Sequence, residues 1–314
     1  MARRLILDVD TGTDDAVAIM FAALHPELNL IGVTTVNGNT SVEHTTDNTL
    51  RVLDWIDRSD IPVFAGLARP VVRQGFPGVR HFDRDSRRDP HGSQLPLPEP
   101  RSVQQDTGAV EYLLETLRST TERITLVPVG PLSNIATVLT IDPSLVEAVE
   151  EVVVMGGGHA VANVTASAEF NIWADPEAAA VVFAAGFERL TLVTLDATYQ
   201  AMVDRDTCTR LEKAGTPAAT AAHRIISRRI AAYQGFMTSE EAAPVHDVVC
   251  TAYLVRPEVV SVRRAHVAVE TVGPLTVGRT VVDTRFVSGQ EPNADVALGA
   301  DAELLARLLV ETLG

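Results

Sequence analysis

Short runs of β-branched and other apolar residues alternate with longer amphipathic segments along most of the chain. The apolar runs have the length of buried strands and cover residues 5–9, 30–36, 124–129, 152–155 and 190–195. The helical spacing of apolar residues falls between these runs, near residues 14–25, 41–57, 107–118, 131–140 and 176–185. Strands separated by helix-length connections are typical of parallel crossover units. The pattern therefore predicts an α/β fold with an open, mainly parallel, doubly wound sheet flanked by helices.

Three segments depart from this alternation. Residues 68–105 contain six prolines, three glycines and the charged run 80–89, so we expect a long surface loop beside the functional site, with the charged run as its solvated surface. Residues 261–287 predict a small antiparallel hairpin at a sheet edge, because turn residues separate two β-rich stretches. Residues 301–313 predict a closing helix. We expect residues 1–314 to form a single domain.

Composition excludes several classes of function. The chain has 314 residues, of which 46% are hydrophobic, so it can bury a sizeable core without disulfide bonds. It carries 41 acidic and 26 basic residues, for a net charge of −15. Nucleic acids and anionic membranes both require clustered Lys and Arg. We therefore expect neither a nucleic-acid partner nor a membrane partner.

The cysteines and the N-terminus predict a cytoplasmic protein. Cys208 and Cys250 lie far apart, without the spacing of a metal site, so we expect both to be reduced and structural. The N-terminal apolar run is short and reaches Asp8 too early for a signal peptide. No window approaches the about 20 apolar residues of a membrane span.

Four carboxylates lie within eight residues where the first predicted strand gives way to a helix. They are Asp8, Asp10, Asp14 and Asp15, and Gly12 marks the turn. Strand alternation places Asp8 and Asp10 on one side, so we expect all four to converge at the carboxyl end of the strand, where open sheets bind ligands. Carboxylates held close together are stabilised by a cation, and oxygen ligands favour Ca²⁺ or Mg²⁺ over zinc.

A simpler interpretation of the same residues is helix capping. Thr13 can cap the helix, and Asp14 and Asp15 in its first turn interact favourably with the helix dipole. Capping explains two of the acids and leaves the other two without a role. On residue types alone, both interpretations remain open.

Further polar residues follow other predicted strands or interrupt apolar stretches. They are Asn37 and Asn39, the run 130–134, the glycines 156–158, the pair Glu169 and Asn171, and the pair His246 and Asp247. Each is weak alone, because glycine-rich strand ends are usually turns and a single histidine in an apolar run is usually a hydrogen-bonded core residue. Together they indicate an active-site crevice at one edge of the sheet.

The combined motifs resemble those of the inosine-uridine-preferring nucleoside hydrolase family. The matching segments, in family order, are Asp8-Val-Asp-Thr-Gly-Thr-Asp-Asp-Ala16, Thr34-Thr-Val-Asn-Gly-Asn39, Ile124-Thr-Leu-Val-Pro-Val-Gly-Pro-Leu-Ser-Asn134, Val154-Met-Gly-Gly-Gly158, Glu169-Phe-Asn-Ile-Trp-Ala-Asp-Pro-Glu-Ala178, Val245-His-Asp247 and Pro292-Asn-Ala-Asp-Val-Ala297. They extend from residue 5 to about residue 300 and cover nearly the whole chain. The resemblance implies this family's fold and the calcium-dependent hydrolysis of ribonucleosides to ribose and free base.

The resemblance also implies a role for each matching residue. Calcium would be bound by the side chains of Asp10, Asp15 and Asp247 and by the backbone carbonyl of Val129. Ribose would be held by Asp14, Asn39, Asn163, Glu169 and Asn171, with Met155 beside the sugar. Asp10 would act as general base and His246 as the acid that protonates the leaving base. His91 would lie over the base. Tyr233 could stack on the base or be a core aromatic.

The resemblance further implies a ribonucleoside as the binding partner and a homodimer or homotetramer as the assembly. The match weakens at Thr11, where proline is commonest, and after His91-Gly92, where a Gly-Leu-Asp-Gly-like run is replaced. Base contacts are therefore less well defined than sugar contacts, and pyrimidine specificity is an open alternative.

Two rival functions remain. Asp8-Val-Asp-Thr is similar to the nucleophile motif of haloacid-dehalogenase-type phosphatases, but Gly12 stands where that motif needs Thr or Val, and Lys213, the one lysine, lies in an ordinary helix. The other rival is a catalytically weak, calcium-dependent nucleoside- or sugar-binding protein. The presence of every expected acid and of His246 argues against it.

Overall fold

A computed structural model describes residues 2–73, 91–233 and 241–314, so the charged run 80–89 lies outside the described residues. The strands are β1 (Arg3–Val9), β2 (Leu28–Thr35), β3 (Val63–Ala65), β4 (Ile124–Pro128), β5 (Val149–Met155), β6 (Leu190–Val193), β7 (Met202–Asp204), β8 (Ala242–Pro244), β9 (Val260–Val269), β10 (Thr280–Asp283) and β11 (Ala294–Ala300). The α-helices are α1 (Thr13–Leu24), α2 (Val42–Trp55), α3 (Ala109–Ser119), α4 (Ser133–Ile141), α5 (Phe170–Ala174), α6 (Pro176–Ala184), α7 (Leu195–Thr198), α8 (Arg205–Ala214), α9 (Pro217–Tyr233), α10 (Val248–Val255) and α11 (Ala302–Leu313).

The main sheet reverses its strand order beside β1. Within the described residues its order is β10-β9-β11-β6-β5-β4-β1-β2-β3, and the seven strands from β11 to β3 run parallel. The chain moves outward from β1 to β2 and β3 on one side, whereas β4, β5 and β6 lie on the other. A crevice forms at such a reversal, beyond the carboxyl ends of the strands. The fold therefore places the end of β1 at the centre of the ligand-binding edge.

Alternation along β1 supplies both faces of the sheet. Leu5, Leu7 and Val9 pack into one hydrophobic cluster with α1, whereas Ile6 packs into a second cluster with α3 and α4. Both clusters are fully enclosed, as expected for a parallel sheet covered on two sides. The sheet edge that carries the site is therefore supported from both layers.

The observed elements agree with the predicted fold class. All five predicted strands and all five predicted amphipathic helices form, and α11 closes the chain. β9 and β10 make the predicted antiparallel hairpin at the sheet edge. β7 and β8 form a separate antiparallel pair that the sequence pattern did not predict. No helix in the described part of the chain is both long and apolar enough to cross a membrane.

Candidate active site

Asp15 organises the turn that joins β1 to α1. Its Oδ1 accepts the backbone N–H of Asp10 at 3.1 Å, and its Oδ2 accepts that of Gly12 at 2.9 Å. Gly12 is the N-cap residue of α1 and Asp15 completes the capping box, so the prediction that Thr13 caps the helix is wrong. The capping interpretation was thus correct for Asp15, which combines a structural bond with a position in the acidic cluster.

Three buried carboxylates converge next to this turn. Asp14, Asp15 and Asp247 each offer an oxygen, and these oxygens lie within 4.8 Å of one another. Asp10 borders the same pocket, and its Oδ2 accepts the backbone N–H of Asn39 at 2.6 Å. The acids reach this point from the start of α1, the end of β1 and the start of α10, which are distant in sequence.

Asp8 does not join the acidic cluster, so the expected convergence of four neighbouring acids is wrong. It lies within β1, and its Oδ1 accepts the hydroxyl of Thr34 at 2.6 Å and the side-chain amide of Asn134 at 2.7 Å. β1 ends at Val9, and the alternation that was expected to place Asp8 beside Asp10 therefore stops before Asp10. Burial raises the pKa of Asp8 to about 7, although both hydrogen bonds act against this shift.

Charge repulsion in the cluster fits a cation. Burial and the neighbouring Asp14 raise the pKa of Asp15 to about 6. Burial, followed by Asp14, Asp15 and Asp10, also raises the pKa of Asp247 well above its usual range. Both shifts reflect first the cost of burying a negative charge and then its repulsion by neighbouring carboxylates, and a divalent cation would offset both. The donors are oxygens, which suits a hard cation such as Ca²⁺.

Asp14 differs from the other two acids, because a guanidinium lies against it. Arg229 on α9 donates from Nη1 to Asp14 Oδ1 at 3.0 Å. His91 Nδ1 lies 3.6 Å from the same oxygen. Burial alone would raise the pKa of Asp14, but the charge of Arg229, with smaller contributions from His91 and His246, holds it below its usual range. Arg229 therefore favours the ionised form of Asp14, whereas burial disfavours the ionised forms of Asp15 and Asp247.

The pocket brings together most of the residues that the resemblance assigns. Its lining is formed by Asp10, Asp14, Asn39, His91, Val129, Met155, Asn163, Glu169, Phe170, Asn171, His246 and Asp247. Asp15 lies behind this lining within the acidic cluster. Asn163, Glu169 and Asn171 form one wall of the pocket and are sugar-binding candidates. His91 and His246 come from other parts of the chain.

The wall opposite the acids is built at the start of α5. Glu169 is the N-cap residue of this helix, and its Oε2 accepts the backbone N–H groups of Gly157 at 2.9 Å and Ile172 at 3.2 Å. Asn163 Oδ1 accepts the N–H of Phe170 at 3.0 Å. These bonds join the loop after β5 to the first turn of α5, so both polar side chains are held in place.

Asn171 connects this wall to the candidate metal ligands. Its Nδ2 donates to the carbonyl of Val129 at 2.7 Å and to that of Met155 at 3.2 Å. A carbonyl oxygen has two lone pairs, so Val129 can accept this bond and still offer an electron pair to a cation. Val129 follows β4 and its carbonyl lies at the carboxyl edge of the sheet, where the carboxylates also converge.

The two histidines are held by hydroxyl and backbone groups. His246 Nδ1 lies 2.7 Å from the hydroxyl of Thr198, and its ring is edge-on to Tyr199 with centroids 5.4 Å apart. His91 Nδ1 accepts the backbone N–H of Thr13 at 3.3 Å. His91 lies so close to the turn that a Cβ at residue 12 would be 2.1 Å from Nδ1, which explains the glycine there.

Tyr233 is not part of the pocket lining that the structure describes. It is the last residue of α9, is half-buried, and its ring centroid lies 5.5 Å from the guanidinium carbon of Arg229. Residues 234–240, which follow it, lie outside the described residues. A role in stacking on the base therefore stays a prediction.

Three residues of the site were missed by sequence reasoning: Arg229, Thr198 and Phe170. Arg229 left a signal, because it falls at helical spacing among the buried Ile225, Ile226 and Ile230. A charged residue on an apolar helix face needs a partner of opposite charge. Thr198 and Phe170 left no signal, because a threonine and a phenylalanine in helical segments are ordinary.

Comparisons with known proteins agree over almost the whole chain. The family model of the inosine-uridine preferring nucleoside hydrolase matches residues 5–307. The pyrimidine-specific ribonucleoside hydrolase RihB of Escherichia coli strain SE11 is 38% identical over 311 residues, which cover 98% of this chain and 96% of that protein.

Solved structures with a similar fold are also nucleoside hydrolases. A plant nucleoside hydrolase, PpNRh1, superposes with a TM-score of 0.87 at 27% identity and covers 100% of this chain and 99% of its own. A purine-preferring ribonucleoside hydrolase from Gardnerella vaginalis superposes with a TM-score of 0.88 at 27% identity, covering 99% and 98%. Both structures are similar to this chain over the full fold, and the names of RihB and of the Gardnerella vaginalis protein state different bases, pyrimidine and purine.

Proposed function

The chain belongs to the inosine-uridine preferring nucleoside hydrolase family and is an enzyme that hydrolyses N-glycosidic bonds, and we propose that it uses a calcium ion bound at the carboxyl edge of its sheet. Its substrates are ribonucleosides, from which it releases ribose and the free base. The observation that carries the metal assignment is the convergence of Asp14, Asp15 and Asp247 within 4.8 Å beside a pocket lined by sugar-binding candidates.

We propose that Asp10, Asp15 and Asp247 ligate calcium with their side chains and that Val129 ligates it with its carbonyl. Ca²⁺ takes six to eight oxygen ligands, so these groups leave positions for a water molecule and for two sugar hydroxyls. When bound, calcium would orient the ribose and lower the pKa of the attacking water. The raised pKa values of Asp15 and Asp247 support the assignment, because a cation bound between them would offset both the burial of their charges and the repulsion from neighbouring carboxylates.

Asp10 is proposed as the general base. The backbone N–H of Asn39 holds its Oδ2, and the backbone N–H of Asp10 is itself bonded to Asp15, so both ends of the residue are oriented toward the cluster. An oriented carboxylate next to the nucleophilic water accepts its proton as the water attacks the anomeric carbon.

The sugar is proposed to bind to Asp14, Asn39, Asn163, Glu169 and Asn171, with Met155 at its side. Cleavage passes through an oxocarbenium-like transition state that carries positive charge on the ribose ring. Carboxylates and amide oxygens close to the ring stabilise that charge more than they stabilise the neutral nucleoside, which is the difference that accelerates the reaction.

His246 is proposed to protonate the departing base. The Thr198 hydroxyl holds His246 Nδ1 and leaves Nε2 to face the base, so the protonated ring can give its Nε2 proton to a base nitrogen and return to the neutral form. His91, held against Thr13, is proposed to lie over the base, and Tyr233 to contribute stacking. His91 and His246 lie on connections between elements, and Tyr233 is the last residue of α9.

The assembly and setting of the enzyme are proposed from the family. The match over residues 5–307 supports a single domain for residues 1–314. We expect a homodimer or homotetramer in the cytoplasm that acts on a free ribonucleoside, without a nucleic-acid or membrane partner. Light scattering after size-exclusion chromatography measures the assembly directly.

The proposed function is tested with uridine, cytidine, inosine and adenosine as substrates, in parallel reactions with calcium or with a chelator. Release of reducing sugar is expected in calcium and is expected to fall sharply in chelator. The 2′-deoxynucleosides should be much poorer, because one hydroxyl ligand is lost. Absence of ribose from all four nucleosides in calcium would contradict the proposal. Hydrolysis restricted to uridine and cytidine would establish the pyrimidine-specific alternative that the similarity to RihB favours.

A further inference from the structure

Arg229 is a fully buried cation in contact with the acidic cluster. Its Nη1 donates to Thr13 Oγ1 at 2.7 Å and to Asp14 Oδ1 at 3.0 Å, and its Nε donates to the carbonyl of Pro244 at 2.9 Å. Its Nη2 has no hydrogen-bond partner among the described residues. Burying a guanidinium without full hydrogen bonding is costly, so the residue needs a compensating role.

We propose that Arg229 is a positioning residue that keeps Asp14 available for the sugar and prevents it from ligating the metal. The inference rests on the proposed function, because it assumes a cation between Asp15 and Asp247. An oxygen of Asp14 lies within 4.8 Å of an oxygen of each of these acids, so a cation that they hold is within reach of Asp14 as well. If the three carboxylates had equivalent surroundings, all three would ligate the ion. A specific contact is needed to keep Asp14 from doing so.

The ion pair with Arg229 distinguishes Asp14 from its neighbours. Asp15 is bonded by backbone N–H groups, whereas Asp14 contacts a full positive charge and the ring of His91. A carboxylate that is paired with a guanidinium is a weaker metal ligand, since its charge is already compensated and a cation beside it is repelled by the arginine.

Arg229 also joins the two halves of the site. Thr13 and Asp14 start α1, whereas Pro244 ends β8 just before His246 and Asp247. One planar guanidinium therefore fixes the distance between the first acidic motif and the second. Lysine cannot reproduce this bridge, because its ammonium is a single point of contact and the bridge uses two separated nitrogens.

The charge balance of the site agrees with this role. With neutral histidines, calcium offsets two of the four carboxylate charges of Asp10, Asp14, Asp15 and Asp247, and Arg229 offsets a third. The single negative charge left over favours a cationic transition state in the sugar without the repulsion that two unbalanced carboxylates would create.

The decisive experiment compares calcium binding with catalysis in Arg229→Gln, Arg229→Lys and the matched control Arg224→Gln, an exposed arginine on the same helix. Calorimetric titration of metal-free protein with calcium chloride alone gives the affinity, and uridine or inosine hydrolysis in saturating calcium gives kcat and KM. For Arg229→Gln we expect calcium to bind at least about fivefold more tightly, because a nearby positive charge is gone and Asp14 becomes free to ligate.

Catalysis is expected to change in the opposite direction. Arg229→Gln should lower kcat/KM about 100-fold, since Asp14 moves from the sugar to the metal. Arg229→Lys should keep calcium affinity within about twofold of the wild type, because it keeps the charge, while losing activity with the bridge. Arg224→Gln should match the wild type in both measurements. If Arg229→Gln weakens calcium binding along with activity, Arg229 only supports the site and the inference is wrong.

A second pair of variants covers the case in which Arg229→Gln does not fold. Asp14→Asn and Asp15→Asn are isosteric and lie next to each other. We expect Asp15→Asn to weaken calcium binding about 100-fold and Asp14→Asn only a few-fold, because Asp14 is not a ligand. Equal losses would overturn the inference. A wild-type protein that binds no calcium overturns the proposed metal site itself, a result that is seen before any variant is compared.

Discussion

At the scale of single residues, the same side-chain type has different roles in this site because its contacts differ. Asp8 lies within a strand and accepts two side-chain donors, Asp15 completes the capping box of a helix, and Asp14 is paired with a guanidinium. Their pKa values move in different directions for these reasons. Sequence motifs identified all three acids, whereas the different role of each acid depends on neighbours that are distant in the chain.

In saturating calcium, which compensates for the loss of a proposed ligand, replacing Asp10 by Asn is expected to abolish turnover while most substrate affinity remains. The amide keeps an oxygen for the N–H of Asn39 but cannot accept a proton from water at neutral pH. Single-turnover assays should show a fall of about 100-fold to 10,000-fold in rate, the range associated with loss of a general base. Binding of a non-hydrolysable nucleoside analogue serves as the control, and full activity of Asp10→Asn would remove this residue as the base.

Replacing His246 by Ala is expected to slow inosine hydrolysis more than hydrolysis of a nitrophenyl riboside. Nitrophenolate leaves without protonation, whereas a purine anion is a poor leaving group. Thr198→Val is a matched variant, because it removes the hydroxyl that orients the ring and keeps the histidine. It should show a smaller loss with the same substrate dependence. Equal losses on both substrates would argue against leaving-group protonation.

At the scale of secondary-structure elements, long buried strands and amphipathic helices were predictable, and short or polar elements were not. β4 and the second half of β5, residues 152–155, are buried and mostly apolar, so the sequence indicated them clearly. β11 contains Asp295, Gly299 and several alanines and was missed as a strand, because its pairing with β6 and β9 stabilises it rather than an apolar run of its own. Where the local sequence pattern does not indicate a strand, pairing with neighbouring strands determines whether one forms.

The end of β1 is the element boundary that misled the sequence interpretation. Alternation within a strand cannot be extended through the turn that follows it. Asp8 consequently joins β1 to β2 through Thr34 and to the start of α4 through Asn134, instead of joining the acidic cluster. Its role is to hold two strands and the start of α4 together at the edge that carries the site.

The variant Asp8→Ala tests that structural role. Loss of the carboxylate removes one buried acceptor from each donor and leaves Thr34 with the Leu7 carbonyl and Asn134 with the Thr35 carbonyl, so we expect the free energy of unfolding to fall by about 1–3 kcal/mol. Urea unfolding in saturating calcium measures the change. Asp8→Asn retains an oxygen that can accept both bonds and should lose much less. If the two variants are equally destabilised, the hydrogen bonds to Oδ1 are not the cause.

At the scale of the whole molecule, the acidic cluster links stability to pH and to calcium. Asp15 has a folded pKa of about 6, above its usual value of 3.8, and the pKa of Asp247 is also raised. The folded protein therefore binds more protons than the unfolded chain between these values, and the stability of metal-free protein falls as the pH rises from about 4 toward 7. Asp14 acts oppositely, but only between its lowered pKa and its usual value of 3.8, which lies below this window.

Thermal unfolding at pH 5 and pH 7, with and without calcium, is the corresponding measurement. Metal-free protein is expected to have the lower Tm at pH 7, and calcium is expected to raise Tm more at pH 7 than at pH 5. Calcium at 100 times its Kd adds about 2.7 kcal/mol of stability by mass action. Asp247→Asn should weaken both the pH effect and the calcium effect. A calcium-independent Tm at pH 7 would contradict the coupling.

The strand-order reversal beside β1 separates the parts of the site that are fixed by the sheet from the parts that can change in sequence and length. The chemistry of bond cleavage is anchored at the ends of β1, β4 and β5, which are enclosed by both cores and tolerate little change. The candidate base contact His91 instead lies on a connection between elements, and Tyr233 is the last residue of α9, so insertions and exchanges at these positions disturb no strand pairing. New base preferences can therefore arise by remodelling connections around an unchanged catalytic edge, and the chain is a suitable scaffold for grafting such connections between relatives.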